Sequence, residues 1–130
     1  LSHKLKSYNK VIDRRREIAQ MYQDRLENLS ELQLPPPPNN TSDHFAVYQN
    51  YEITADNRDV LKEYLSEKNI GTLIQWGGKG VHQFNQLGFS QKLPKTERFF
   101  DRCIMLPMNM FISNEDVEYI CETVKSFYVK

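Results

Sequence analysis

Gln75, Trp76, Lys79 and His82 fall within eight residues, inside the stretch IGTLIQWGGKGVHQF at positions 70–84. Their chemistry is complementary. An indole offers a flat face for stacking, and lysine and histidine donate to an anion or a sugar. Gly77, Gly78 and Gly80 leave room for a ligand to approach the backbone closely. Such a set suits the rim of a binding site, but it specifies no reaction. A glycine-rich surface turn anchored by Trp76 is the plainer reading, and the stretch alone does not separate the two. A Walker-type phosphate loop is excluded, because Lys79 is followed by Gly80 and Val81 with no hydroxyl to hold magnesium. No Gly-x-Gly-x-x-Gly lies between a strand and a helix, so a dinucleotide fingerprint is excluded too.

Elsewhere the residue types point away from catalysis and metals. Cys103 sits in the apolar run CIML, and Cys121 falls on the apolar face of the last helix, so both read as core thiols. His3, His44 and His82 are far apart and lack the paired spacing of a zinc site. Glu115 and Asp116 read as helix-start residues. The chain has 130 residues, which suits one domain, and its 17 basic and 17 acidic residues cancel. That balance removes the general basic footprint of a nucleic-acid binder. No apolar run approaches the ~20 residues needed to span a bilayer. Leu1-Ser2-His3-Lys4 shows no leader pattern, so a soluble cytoplasmic domain is expected.

The elements that must position the candidate rim follow from periodicity. Leu1, Leu5, Tyr8, Ile12, Arg15, Ala19, Tyr22, Leu26 and Leu29 repeat at 4-3 spacing, predicting a long helix over 2–29 with one polar interruption at Arg15. Val11 and Ile18 broaden the stripe, which favours docking on a globular body over a coiled coil. Pro35 to Pro38 end the helical region and predict a stiff connector, with an SH3-type ligand as the alternative. Alternation of Phe45, Val47, Tyr51 and Ile53 predicts a strand over 44–54. Asp56 is placed to cap a helix over 57–68, with Leu61, Tyr64 and Leu65 inward and Asn69 or Gly71 closing it. A short strand over 72–75, a turn of helix over 81–87, a short helix from Pro94 with Phe99 inward and Thr96, Glu97 and Arg98 outward, and a strand over 103–106 follow. Ser113 and Asp116 form a capping-box pattern before a helix carrying Val117, Ile120, Cys121, Val124, Phe127 and Tyr128. The order predicts an α+β layer, a small sheet with helices on one face.

The motifs, in this order, resemble a known family. RRREIAQMYQDRL (14–26), the proline-marked loop, YEI (51–53), NRDVLKEYLSEKNIGT (57–72) and LPKTERFFDRCIMLPMNMFISNEDVEYICETV (93–124) are similar to the C-terminal domain of the DegT/DnrJ/EryC1/StrS aminotransferases. The resemblance covers nearly the whole chain. It implies the small C-terminal domain of the aspartate-aminotransferase (fold type I) architecture. The 1–130 unit would comprise a long helix over 1–34, a connector over 35–43 and an α+β body over 44–130. It further implies a pyridoxal 5′-phosphate enzyme, a homodimer when full length. Such an enzyme moves an amino group from an amino acid, commonly glutamate, to a nucleotide-linked keto sugar.

The family's large domain, with its Schiff-base lysine, has no counterpart motif here. The chain therefore resembles a fragment, expected to carry no catalytic, cofactor-binding or metal-binding residue and to be inactive alone. Many members have a His-Tyr-Pro-type segment after Ile-Gly-Thr. This chain has Gln75-Trp76-Gly77-Gly78-Lys79-Gly80 instead, similar to members acting at C3 of keto-deoxyhexoses. The resemblance thus assigns Gln75, Trp76, Lys79 and His82 to substrate binding. Two other classes compete with it. One is a non-catalytic interaction module dimerising through the heptad helix, and the other is a small-ligand sensor domain.

Overall fold

The computed structural model describes residues 5–38 and 44–129. The first helix, α1, spans Tyr8–Leu26, and Ile18, Ala19, Tyr22 and Leu26 are its fully buried residues. They form one stripe at helical spacing, so the docked reading holds for the second half of the helix. The first half of the seam is open, with Leu5 61% and Tyr8 49% exposed. Leu1 and the connector residues 39–43 lie outside the described residues. Arg15, the polar interruption of the seam, has a specific task. Its guanidinium donates to the carbonyls of Tyr48 and Gln49. The helix stops a turn earlier than expected, because the Leu29 amide folds back onto the Leu26 carbonyl. A two-residue strand follows, β1 at Leu32–Gln33, which no sequence pattern announces.

The strand expected over 44–54 forms only at its end, as β2, Tyr51–Ala55. Upstream, the Ala46 carbonyl is taken by Arg16 and those of Tyr48 and Gln49 by Arg15, so they are not free for a ladder. Tyr48 also has a left-handed φ of 49°, which breaks an extended run. Inside β2 the alternation is real: Tyr51, Ile53 and Ala55 are buried. Phe45 is not; the Arg16 guanidinium lies 4.2 Å over its exposed ring.

Helix α2 runs Arg58–Glu67, with Leu61 and Leu65 buried. Its cap is Asn57, in a left-handed conformation with no side-chain cap bond, and not Asp56. The Asp56 carboxylate pairs instead with Arg102 at 2.6 Å. Asn69, at φ 60°, supplies the left-handed residue after the helix. The strand expected over 72–75 shrinks to a single bridge, Leu73 with Met105. Trp76, three residues on, already has left-handed backbone, so the extended segment has no room to lengthen.

Three 3₁₀ turns follow, at Gln75–Gly78, Val81–Gln83 and Asn85–Leu87. Helix α3 is Pro94–Arg102, with proline in its first turn. It is rotated from the expected orientation. Phe99 is 40% exposed, while Thr96, Glu97 and Phe100 turn partly inward. Strand β3, Cys103–Leu106, lies where the sequence puts it, and so does α4, Asn114–Tyr128. Ser113 Oγ accepts the Asp116 amide and Asp116 Oδ2 accepts the Ser113 amide, the predicted capping box.

The sheet has order β1-β2-β3, all antiparallel, with Leu32 opposite Ala55 and Ile53 opposite Ile104. Its core face joins Tyr51, Ile53, Ile104 and Leu106 to the buried stripes of α1, α2 and α4. This is the expected α+β layer, with three helices on that face. Helix α3 and the loop before it stand apart, and α3 has no fully buried residue. Among the described residues no helix is long and apolar enough to cross a membrane.

Candidate functional site

The segment between the Leu73 bridge and α3 makes one wall of a trough of about 680 Å³, and α3 makes the other. That size lies within the usual range of ligand sites, roughly 300–1,000 Å³. Val81, Phe84, Leu93 and Phe100 supply an apolar lining, with Trp76 and Lys79 on the same wall as His82. The polar groups are thus few and set against an apolar floor, a combination that orients a ligand and excludes water.

The backbone explains how Trp76 reaches this place. Trp76 (φ 53°, ψ 25°), Gly77 (φ 65°, ψ 22°) and Gly78 (φ 73°) form three successive left-handed residues. Glycine adopts this at no steric cost, whereas a residue with a Cβ loses about 1–2 kcal/mol. The turn swings the indole outward, leaving Trp76 74% exposed at the trough. A strained, bulky residue in an exposed loop is a recognised mark of a functional position.

The trough gathers three of the four sequence candidates. Lys79 is exposed and makes no ion pair among the described residues. His82 is different, for its side chain is only 8% exposed and its Nε2 lies 3.1 Å from Glu97 Oε1. Gln75 is half-buried in the first 3₁₀ turn, beside Trp76 but not on the trough wall. Sequence reasoning missed the floor itself. Phe84, Phe89 and Leu93 recur, with Leu87 among them, through an otherwise polar loop, and Thr96 and Phe100 are one helical turn apart on α3. That recurrence was the available signal. Glu97 was also missed. The Leu93 amide and then the His82 ring hold its carboxyl below the ordinary carboxylate range.

The trough does not fit pyridoxal phosphate as a complete site. A phosphate needs several convergent donors. The amides of Gly80, Gln83, Phe84, Leu93 and Glu97 are already bonded within the loop and α3, and among the described residues Lys79 is the one lysine or arginine that lines the trough. The Glu97 carboxylate, which could otherwise face a pyridine nitrogen, is held by His82 and Leu93. Among the described residues no three His, Cys, Asp or Glu side chains converge on a metal position.

Comparison with known proteins gives a consistent match. The model of the DegT/DnrJ/EryC1/StrS aminotransferase family matches residues 1–125. The chain is 32% identical over 128 residues to GDP-perosamine synthase of Escherichia coli O157:H7, covering 95% of this chain and 33% of that protein. It is 29% identical over 131 residues to dTDP-3-amino-3,6-dideoxy-alpha-D-galactopyranose transaminase of Aneurinibacillus thermoaerophilus, covering 98% of this chain and 34% of the relative. Among solved structures, the aminotransferase TlmJ from Streptoalloteichus hindustanus superposes with a TM-score of 0.87 at 28% identity, over 96% of this chain and 34% of that one. The chain thus spans about a third of the length of the curated relatives it matches.

Proposed function

The chain belongs to the DegT/DnrJ/EryC1/StrS aminotransferase family, and on that premise we propose that it is the C-terminal domain of a nucleotide-sugar aminotransferase. In this reading the trough is the chain's share of the site for a nucleotide-linked keto sugar. The carrying observation is the placement of Trp76 and Lys79 on one wall above an apolar floor. Lys79 takes the diphosphate as a charge-assisted hydrogen bond, and Trp76 stacks on a flat ring face. His82 belongs to the same wall, and Gln75 adjoins Trp76 just off it. Pyridoxal phosphate, held by the rest of the longer protein, supplies the electron sink for amino transfer from an amino acid. This chain binds and orients the sugar nucleotide, and alone it does not transaminate. The longer protein works as a homodimer.

Trp76 is the chain's single tryptophan, so its fluorescence reports on the trough directly. Thymidine 5′-diphosphate titrated into the 130-residue chain should quench or shift that emission saturably. Lys79→Ala should weaken the binding by about tenfold, the usual loss for one charged hydrogen bond. No saturable change, or equal affinity in Lys79→Ala, would refute this assignment of the trough.

A further inference from the structure

Glu97 lies behind the trough wall and not on it, yet two groups that set the wall end on its carboxylate. Its Oε1 accepts the Leu93 amide at 3.0 Å and lies 3.1 Å from His82 Nε2. The first contact fixes the entry to α3. The second ties the loop to α3, because His82 belongs to the turn Val81–Gln83. That turn is also closed on itself. Gly80 donates its amide to Gln83 Oε1 at 2.8 Å, and the Gln83 amide returns to the Gly80 carbonyl.

The ring of His82 is wedged as well as bonded. A Cβ on Gly80 would stand 2.7 Å from His82 Cε1 and 2.8 Å from Nδ1. Gly80 has an ordinary φ of −76°, so the contact and not the backbone conformation requires glycine there. The imidazole therefore sits between the Gly80 backbone and the Glu97 carboxylate, with 8% of its side chain exposed. Just upstream lies the left-handed turn of Trp76, Gly77 and Gly78, which is unfavourable for tryptophan and needs an anchor on each side. The upstream anchor is the Leu73–Met105 bridge. The downstream anchor is the wedged, bonded His82.

Resting on the reading of the trough given above, we infer that Glu97 is a positioning residue. Through His82 it holds the loop 76–83 on α3, so that Trp76 and Lys79 face the same side of the trough. His82 thereby acts on a bound ligand chiefly through loop geometry. The feature that makes the arrangement specific is the shared acceptor, since one carboxylate oxygen serves both the loop and the helix start.

The test uses the whole chain and its single tryptophan, first without ligand. In Glu97→Ala the fast-decaying part of the Trp76 fluorescence anisotropy should about double, reporting nanosecond freedom of the loop. Glu97→Gln keeps an Oε1 that can accept from both His82 and Leu93, and it should restore the wild-type decay. Gly80→Ala displaces the same ring from the other side and should loosen Trp76 as Glu97→Ala does. On a His82→Ala background the added Gly80→Ala change should do nothing more. An unchanged decay in Glu97→Ala, or a Glu97→Gln decay as loose as that of Glu97→Ala, overturns the inference. If Glu97→Ala does not fold, the Gly80→Ala pair decides alone: loosening only when His82 is present supports the latch, and loosening regardless of His82 overturns it. With thymidine 5′-diphosphate as probe, affinity should fall about tenfold in Glu97→Ala and recover in Glu97→Gln. If the wild-type chain does not bind that probe, the sugar-nucleotide reading fails, while the ligand-free decays still decide the latch.

Discussion

Two tyrosines in the core offer a test in which the same chemical change should have opposite signs. Tyr22 and Tyr51 stack with ring centroids 4.7 Å apart, and both are essentially fully buried. Tyr22 donates its hydroxyl to the Pro107 carbonyl at 2.7 Å. The Tyr51 hydroxyl is buried with no hydrogen-bond partner among the described residues. Phenylalanine at either position keeps the ring and removes only the hydroxyl. Tyr22→Phe loses a net hydrogen bond, about 0.5–1.5 kcal/mol, and strips the Pro107 carbonyl of its donor, for a total near ~1.5 kcal/mol. Tyr51→Phe removes a desolvated, unpaired hydroxyl and should stabilise by about 1 kcal/mol. The two variants should therefore differ by about 2.5 kcal/mol, or roughly 8 °C in Tm for a domain of this size. Urea unfolding followed by far-ultraviolet circular dichroism measures this; Trp76 is a poor probe, being 74% exposed in the native state. A Tyr51→Phe variant less stable than wild type by more than ~0.5 kcal/mol would mean that the hydroxyl is satisfied after all. A neutral Tyr22→Phe would mean that the bond to Pro107 contributes nothing.

Two further predictions concern titration. Glu97 is held below its ordinary value of 4.5, first by the Leu93 amide and second by His82, with Lys92 adding a smaller push in the same direction. A depressed carboxylate stabilises the fold above its unfolded pKa, and that stabilisation is lost only as pH falls through the lower folded value. The stability contributed by this carboxylate, read by urea unfolding, should accordingly hold steady at every pH above the ordinary value of 4.5 and be lost only below it; a loss already at about pH 6 would assign the transition to another group. The thiols are the second case. Burial pushes Cys121 up to about 12, with Glu118 adding to it, and burial followed by Glu52 pushes Cys103 up as well. At pH 8 a thiol near 12, as for Cys121, is roughly one part in 10,000 thiolate, and Cys103 is as fully buried, so neither cysteine should react with an aromatic disulfide reagent until the chain is unfolded.

The helices were legible because their apolar stripes are long enough to define a face. Ile18, Ala19, Tyr22 and Leu26 were readable as one side of α1, and Val117, Ile120, Cys121 and Val124 as one side of α4. The failures share a physical cause, which is a distant partner that overrides a local preference. The strand expected over 44–54 is lost upstream of Tyr51, where the carbonyls of Ala46, Tyr48 and Gln49 go to Arg16 and Arg15, 30 or more residues away in sequence. Asp56 looks like a helix cap until Arg102 takes its carboxylate. In α3, nine residues with adjacent Phe99 and Phe100 cannot specify which ring turns in. Arg58 decides that in the folded chain, because its Nη1 gathers the carbonyls of Phe100 and Cys103 and so fixes the end of the helix.

The candidate site shows the same division at finer scale. Residue types near a site can be read, because stacking faces, cations and glycines stand out in a short window. The partners that give each type its role cannot, because they come from other elements. Lys79 and Trp76 stay at the surface of the trough as their types suggest, whereas His82 is drawn under it by a carboxylate fifteen residues later. Glu97 reads in sequence as an ordinary first-turn acid on a helix, and in the fold it does serve the helix start through Leu93. The second contact, to His82, turns a capping residue into the link between helix and loop. A left-handed tryptophan followed by two left-handed glycines is stable only if the chain on both sides is fixed. The conformation of the loop and the acid on α3 therefore have to be explained together. Neither the glycine run nor the helix start accounts for the exposed indole alone.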